Sequence, residues 1–326
     1  MTALVETAGV RTGVDCQLPW VLELLSEGAA GELRRGPPDG ASLLVRVEND
    51  DRPFDTRGWQ PLTRGAWVAD GEVVIENACT AGFDLRASCA RDGMTFTYRW
   101  RPSSRDRIAS RVLRSRFHLL ARAVLVQYPA LWWAGALGRA PLHASACTAG
   151  DSTPLVSASG GIGRSTLVLR EVERGGRATG DNLSVGDGTT VWGLVEPLRV
   201  EGGSGRRMPH GRREAAMPAR APSLTPDALV VLERSGAPTA ALVPCSPDVA
   251  ARSLVTSTYM AGELRRYWAF AATLSAGTGV GPPHPQIEAV AGEIADNLPC
   301  FRLVLGRAPG IGLAELLTTV PMEVEA

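Results

Sequence analysis

One stretch constrains this chain more than any other: Ala158-Ser-Gly-Gly-Ile-Gly-Arg-Ser-Thr166. It lies between Pro154-Leu-Val-Ser157, a short apolar run that suits a buried strand, and Ser165 to Arg174, where Leu167, Val168 and Val172 fall at helical spacing. Strand, glycine-rich turn and helix in that order make a loop whose backbone N–H groups and helix N-terminus converge on phosphate oxygens. The matching pattern is G-x-x-x-x-G-K-[ST]. Here Ala158 takes the first glycine position, Gly163 the second, Arg164 the lysine position and Ser165 the hydroxyl position. The expected phosphate-binding residues are Ser159, Gly160, Gly161, Ile162, Gly163, Arg164, Ser165 and Thr166.

Arginine at the lysine position has a compositional context. The 326 residues contain no lysine, so all 34 Lys-plus-Arg positions are arginine, balanced by 34 acidic residues. Arg164 keeps a cation at the loop, but as a planar fork rather than a compact point charge. A net charge of zero gives no argument for nucleic acid or a membrane surface as a partner. The six cysteines are scattered without a C-x-x-C pair and read as reduced thiols. No signal peptide is evident at Met1, and arginine and proline interrupt the apolar region Leu119 to Trp133. The expectation is a cytoplasmic protein.

Three regions are expected. Residues 1–101 read as a β-rich region, with a mobile start to about residue 15 and a short helix over Leu18–Leu25. Strand-like pieces follow at Ser42–Glu48, Gly65–Ala69, Glu72–Ile75, Phe83–Ala87 and Met94–Trp100. Asp70-Gly71, Ala81-Gly82 and Asp92-Gly93 mark turns between them, which suggests a small antiparallel sheet. Residues 102–137 read as connecting helices. The first has Ile108, Val112, Leu119, Leu120 and Val124 as its apolar stripe and Arg105, Arg107, Arg111, Arg114 and Arg116 as a solvated face, and it breaks at Tyr128-Pro129. Residues 138–320 read as an α/β core. Its strands are expected at Leu142–Cys147, Pro154–Ser157, Gly180–Val185, Val191–Val195, Leu198–Glu201, Ala228–Glu233 and Cys300–Leu305. Ala240–Val243 is expected to pair with Ala228–Glu233, and Pro247–Ala276 to be helical.

Two more islands accompany the loop. His143 lies in Leu142-His-Ala-Ser-Ala146, and Arg174-Gly-Gly-Arg-Ala-Thr-Gly-Asp-Asn182 ends in Asp181 and Asn182. In this order and spacing, Pro141 to Ser184 resembles the HPr kinase/phosphorylase family. That family has a His on the strand before the loop, a G-x-S-G-x-G-K-S loop, and an R-G-x-x-x-x-x-D-D motif one helix later. The resemblance implies a curved mixed sheet flanked by helices, related to phosphoenolpyruvate carboxykinase. It also implies ATP-dependent, Mg²⁺-assisted phosphoryl transfer to a hydroxyl of a peptide, protein or small molecule, in a protein that forms homo-oligomers. Carried over, Asp181, His143 and Arg164 are the catalytic candidates, and Ser165, Asp181 and Asn182 would hold the metal.

Phosphoryl transfer needs charge neutralisation and alignment more than covalent chemistry, and this residue set can supply both. Three positions depart from the family pattern: Ala158 for glycine, Arg164 for lysine and Asn182 for the second acid. They support an alternative, a catalytically impaired nucleotide-binding accessory protein. Arg206-Arg-Met-Pro-His-Gly-Arg-Arg213, inside the Gly-, Arg- and Pro-rich segment Gly202–Pro222, reads either as a basic loop or as a lid. His284 reads as a turn histidine.

Overall fold

The computed structural model describes residues 1–90, 93–201, 205–208, 211–282, 284–306 and 312–319. Asp92, Pro209 and His210 therefore lie outside the described residues, as do parts of the turn and basic segment that contain them. The fold is mixed α/β, with several sheets and flanking helices. By contacts the chain divides into two units: residues 1–137, 201–214 and 266–284 form one, and residues 138–200, 215–265 and 285–326 the other.

The first unit is built on a nine-stranded sheet. Its order is Arg34–Arg35, Thr2–Thr7, Val10–Cys16, Leu43–Glu48, Gly93–Trp100, Phe83–Ala90, Glu72–Ile75, Ala66–Ala69 and Gln60–Thr63. Two expectations are corrected here. The first 15 residues are no mobile start: Thr2–Thr7 and Val10–Cys16 form a hairpin that buries Val5, Val10 and Val14. The sheet is also mixed, because Leu43–Glu48 runs parallel to both of its neighbours. A parallel neighbour requires a crossover, and the helix Pro19–Gly28 lies within the first of these connections.

The connecting helices differ from expectation as well. One helix runs Ser104–Val112, with Ser103 accepting from the Asp106 N–H as its cap. The chain breaks at Leu113, not at Tyr128-Pro129. Arg114–Arg122 then continues through a π-turn, Ala123–Gln127, into Tyr128–Ala136. Pro129 sits where the π-turn meets that last helix, and there the Val124 carbonyl accepts from the Tyr98 hydroxyl at 2.6 Å. The helix Tyr267–Thr278 also belongs to this unit, so the expected helical stretch Pro247–Ala276 is two helices in different units.

The second unit carries the loop. Its five-stranded sheet has the order Ala144–Ala146, Pro154–Ser157, Ala228–Arg234, Cys300–Leu305 and Ala241–Pro244. The three central strands are parallel and the two edges antiparallel. Ala241–Pro244 therefore pairs with Cys300–Leu305, not with Ala228–Arg234. A four-stranded antiparallel sheet, Ala140–Leu142, Ser184–Gly186, Val191–Gly193 and Ser223–Leu224, completes the unit's main sheets. The expected strand Leu142–Cys147 is thus two strands in two sheets, with His143 at the switch. The His143 N–H donates to Thr258 Oγ1 at 3.0 Å, so a side chain satisfies this backbone donor at the switch. Among the described residues, no helix is long and apolar enough to cross a membrane.

Candidate functional site

The loop leaves the C-terminal end of Pro154–Ser157 and enters the helix Arg164–Glu173. That helix is held by an apolar face: Leu167, Val168 and Val172 pack with Val156, Val230, Leu232, Phe301 and Leu303. Glu171, 2% exposed, accepts the Leu313 N–H at 2.9 Å. The turn needs glycine at two places, Gly161 with φ 82° and Gly163 with φ 125°. Ala158 is buried and is not among the positive-φ residues, so alanine there is unstrained. Ser159, Gly160 and Gly161 are exposed, and a Cβ on Gly160 or Gly161 would meet no heavy atom within 4 Å. The Gly-rich backbone is therefore open to a ligand. The helix it caps has no acidic residue in its first turn and no side-chain cap.

Arg164 does not face that opening. It is 5% exposed, and its guanidinium is held from within. Nη1 donates to the His143 carbonyl at 2.6 Å, and Nη2 lies 2.9 Å from His143 Nε2. Nη2 also donates to the Asn182 carbonyl and to Asn182 Oδ1, both at 3.2 Å. The fold thus brings three sequence-predicted residues, His143, Arg164 and Asn182, into one hydrogen-bonded cluster. Burial, with the Arg164 charge beside it, lowers His143 to about 3, so the imidazole is neutral. A neutral ring accepting from Arg164 through Nε2 carries its proton on Nδ1. Burial also lowers Arg164, while the carboxylates of Asp181, Glu196 and Glu263 pull it back up.

Asp181 is fully buried. Its Oδ2 accepts from the Asn182 amide at 3.2 Å and from the Arg199 N–H at 3.3 Å, and among the described residues its Oδ1 has no partner. The turn that carries it is tightly seated: a Cβ on Gly193 would come within 1.7 Å of the Thr179 carbonyl oxygen. Ser145 Oγ donates to the Gly180 carbonyl at 2.6 Å from the neighbouring strand.

Three residues of the cluster escaped the sequence reading. Glu196 Oε1 accepts the N–H groups of Asn182 and Leu183 at 2.7 and 3.0 Å. Arg199 spans Glu196, at 3.7 Å, and Glu263, at 2.6 Å. Burial raises Glu196 to about 7 against the opposing pull of Arg199. Glu263 is lowered: Arg199 draws it down against its desolvation. The available signal was two charged residues inside an apolar run, Val195-Glu-Pro-Leu-Arg199. Nothing in the sequence links them to Glu263, because only the fold does.

The two groups implied by the family resemblance fit unequally. Exposed loop amides at an uncapped helix N-terminus suit phosphate oxygens. The proposed Mg²⁺ set suits its ion poorly. Asn182 Oδ1, the neutral oxygen that would replace the second acid, is taken by Arg164, and Asp181 Oδ2 is taken by two N–H donors. Among the described residues, no group of three or more His, Cys, Asp or Glu side chains could hold a metal.

In the segment read as a basic loop or a lid, Arg206 and Arg213 have partners within the first unit. Arg206 forms an ion pair with Glu27 at 2.6 Å, and Arg213 donates to the Gly205 carbonyl at 3.0 Å. His284 packs edge-on against Trp268 in that same unit. No protein-family model matches this sequence, and no curated protein matches it.

Proposed function

We propose that this chain is a phosphate-loop protein of HPr-kinase-like design that binds a nucleotide through its phosphates and does not turn it over. It would act as a nucleotide-binding accessory protein in the reaction or assembly of another protein. The observation that carries this reading is the inward guanidinium of Arg164, spent on His143 and Asn182. Phosphoryl transfer requires a cation at the phosphates and a free base or metal oxygen beside them. In this chain the cation, the imidazole lone pair and the Asn182 oxygen satisfy one another.

Calorimetric titration with ATP, with and without Mg²⁺, tests the reading. The expected result is binding that Mg²⁺ does not strengthen, and no loss of ATP with hydroxyl acceptors. Binding that depends on Mg²⁺, or measurable turnover, overturns it. The double variant Arg164→Lys, Asn182→Asp sharpens the outcome. A gain of Mg²⁺-dependent binding would identify these two positions as the site of the impairment.

A second reading, an ATP-dependent phosphotransferase acting on a hydroxyl, is favoured by one observation: Asp181 keeps a buried carboxylate oxygen without a partner. Such an oxygen could accept a proton from an acceptor hydroxyl once Arg164 swings out. Trapping that swing by nucleotide would revive this reading, and the Asp181→Asn variant would then abolish transfer.

A further inference from the structure

With Arg164 turned inward, the loop's positive charge must come from elsewhere if it holds a phosphate. Arg234 is at the right place. It ends the strand Ala228–Arg234, which runs parallel to the loop strand with Val231 opposite Ser157. Three residues further on, the Arg234 side chain reaches the loop: Nη2 donates to the Ile162 carbonyl at 3.1 Å. The same Nη2 lies 3.6 Å from the point where a Cβ on Gly163 would sit, at the residue that caps the loop helix. Arg234 is exposed, as are Gly160 and Gly161 in the same loop, where an added Cβ would meet no heavy atom within 4 Å.

The electrostatics point to a ligand. A helix N-terminus carries partial positive charge and favours an anion. Here it has no acid in its first turn and no capping side chain, yet a second cation is fixed against it. A guanidinium anchored on a loop carbonyl beside the positive end of a helix gives that loop end a net attraction for an anion. We infer that Arg234 is the phosphate-binding cation of this loop, in the part that Arg164 has vacated. The ligand class is a phosphate or diphosphate group bound without a divalent metal. This rests on the phosphate-loop reading above and adds to it the residue that neutralises the ligand.

The test is equilibrium titration of the whole chain in EDTA with three probes: ADP, pyrophosphate and inorganic phosphate. Four proteins are compared: wild type, Arg234→Gln, Arg234→Lys and, as a control in the other unit, Arg213→Gln. The expected result is at least tenfold weaker binding of ADP and pyrophosphate by Arg234→Gln, with a shallower dependence on salt. Arg234→Lys should recover part of the loss, and Arg213→Gln should bind as wild type does. Matching thermal melts of wild type and Arg234→Gln would show that the loss is not unfolding. Retained affinity for ADP with none for pyrophosphate or phosphate would mean recognition of the nucleoside, and would overturn the inference. Equal binding by wild type and Arg234→Gln overturns the inference alone. Failure of the folded wild type to bind any of the three overturns it together with the phosphate-loop reading.

Discussion

Among the described residues each unit buries one arginine deeply, and the two are satisfied in different ways. In the first unit, Arg122 meets a carboxylate: Nη1 lies 2.9 Å from Glu214 Oε1 and Nη2 donates to Oε2 at 3.0 Å, with both side chains almost completely buried. In the second, the four hydrogen bonds of Arg164 go to neutral acceptors, and its balancing charges on Asp181, Glu196 and Glu263 act from further away. A buried ion pair with a charge-assisted hydrogen bond ties two segments of chain together. A guanidinium held by a ring, an amide and two carbonyls is held less firmly, and every one of its acceptors belongs to the candidate site. The first arrangement suits structure. The second suits a site whose parts have been turned against one another.

Breaking the Arg122 pair should have the largest effect. Glu214→Gln removes the charge and leaves a buried guanidinium uncompensated, which costs about 3–5 kcal/mol. Urea denaturation followed by tryptophan fluorescence reads the loss directly. If Glu214→Gln unfolds at the wild-type midpoint, the pair is not the anchor described here.

The pH dependence of stability should come next, and it sharpens the contrast because the loop cluster contains two opposed titrations. Folding lowers His143 from 6.5 to about 3. The unfolded chain therefore takes up a proton that the folded chain refuses, and this contribution is lost as pH falls from 6.5 towards 3. Folding raises Glu196 from 4.5 to about 7. The folded chain keeps a proton that the unfolded chain releases, so stability is lost as pH rises from 4.5 to 7. Each slope is at most about 1.4 kcal/mol per pH unit, and between 4.5 and 6.5 they oppose. His143→Gln should tilt stability towards the acid end of that window relative to wild type, and Glu196→Gln towards the alkaline end. Parallel stability curves for all three proteins would show that neither group is perturbed by folding.

How far all this could be read in advance varied with range. The loop, its strand and its helix were legible because their signals are local: an apolar run, glycines where φ is positive, then helical spacing. Strands such as Glu72–Ile75 and Ala228–Arg234 were legible for the same reason. The opening hairpin was missed because Thr2–Thr7 is unremarkable alone and becomes a strand by pairing with Val10–Cys16. The antiparallel expectation failed because parallel register is set by a crossover, which no local pattern encodes. At the site, His143, Asp181 and Asn182 were found by spacing along the chain. The direction of the Arg164 side chain was not, because it depends on acceptors 18 and 21 residues away. Glu263 and Arg234 join the site only through sheet and helix packing.

Removing Arg164 itself should cost less than removing Glu214. Arg164→Met deletes the buried cation together with its desolvation cost, and leaves His143 Nε2 and Asn182 Oδ1 without a donor. Loss of such hydrogen bonds costs about 1–3 kcal/mol. The comparison to make is the ratio of the two losses in urea. A cost for Arg164→Met equal to that for Glu214→Gln would mean that the neutral acceptors hold their arginine as firmly as a carboxylate does.

The smallest effect belongs to the helix Ser104–Val112, and it tests the same principle on apolar groups. The sequence presents Ile108, Val112 and Val124 as one stripe, but the break at Leu113 separates them. Ile108 and Val112 are 65% and 74% exposed, while Val124 is fully buried. Substitution of a side chain that folding leaves in water should change stability by no more than about 0.5 kcal/mol, so Ile108→Ser should be nearly silent. Val124→Ala, which removes packed methyl groups, should register clearly in the same denaturation series. A large loss for Ile108→Ser would mean that this helix face is covered in the protein in solution, and would direct attention to what covers it.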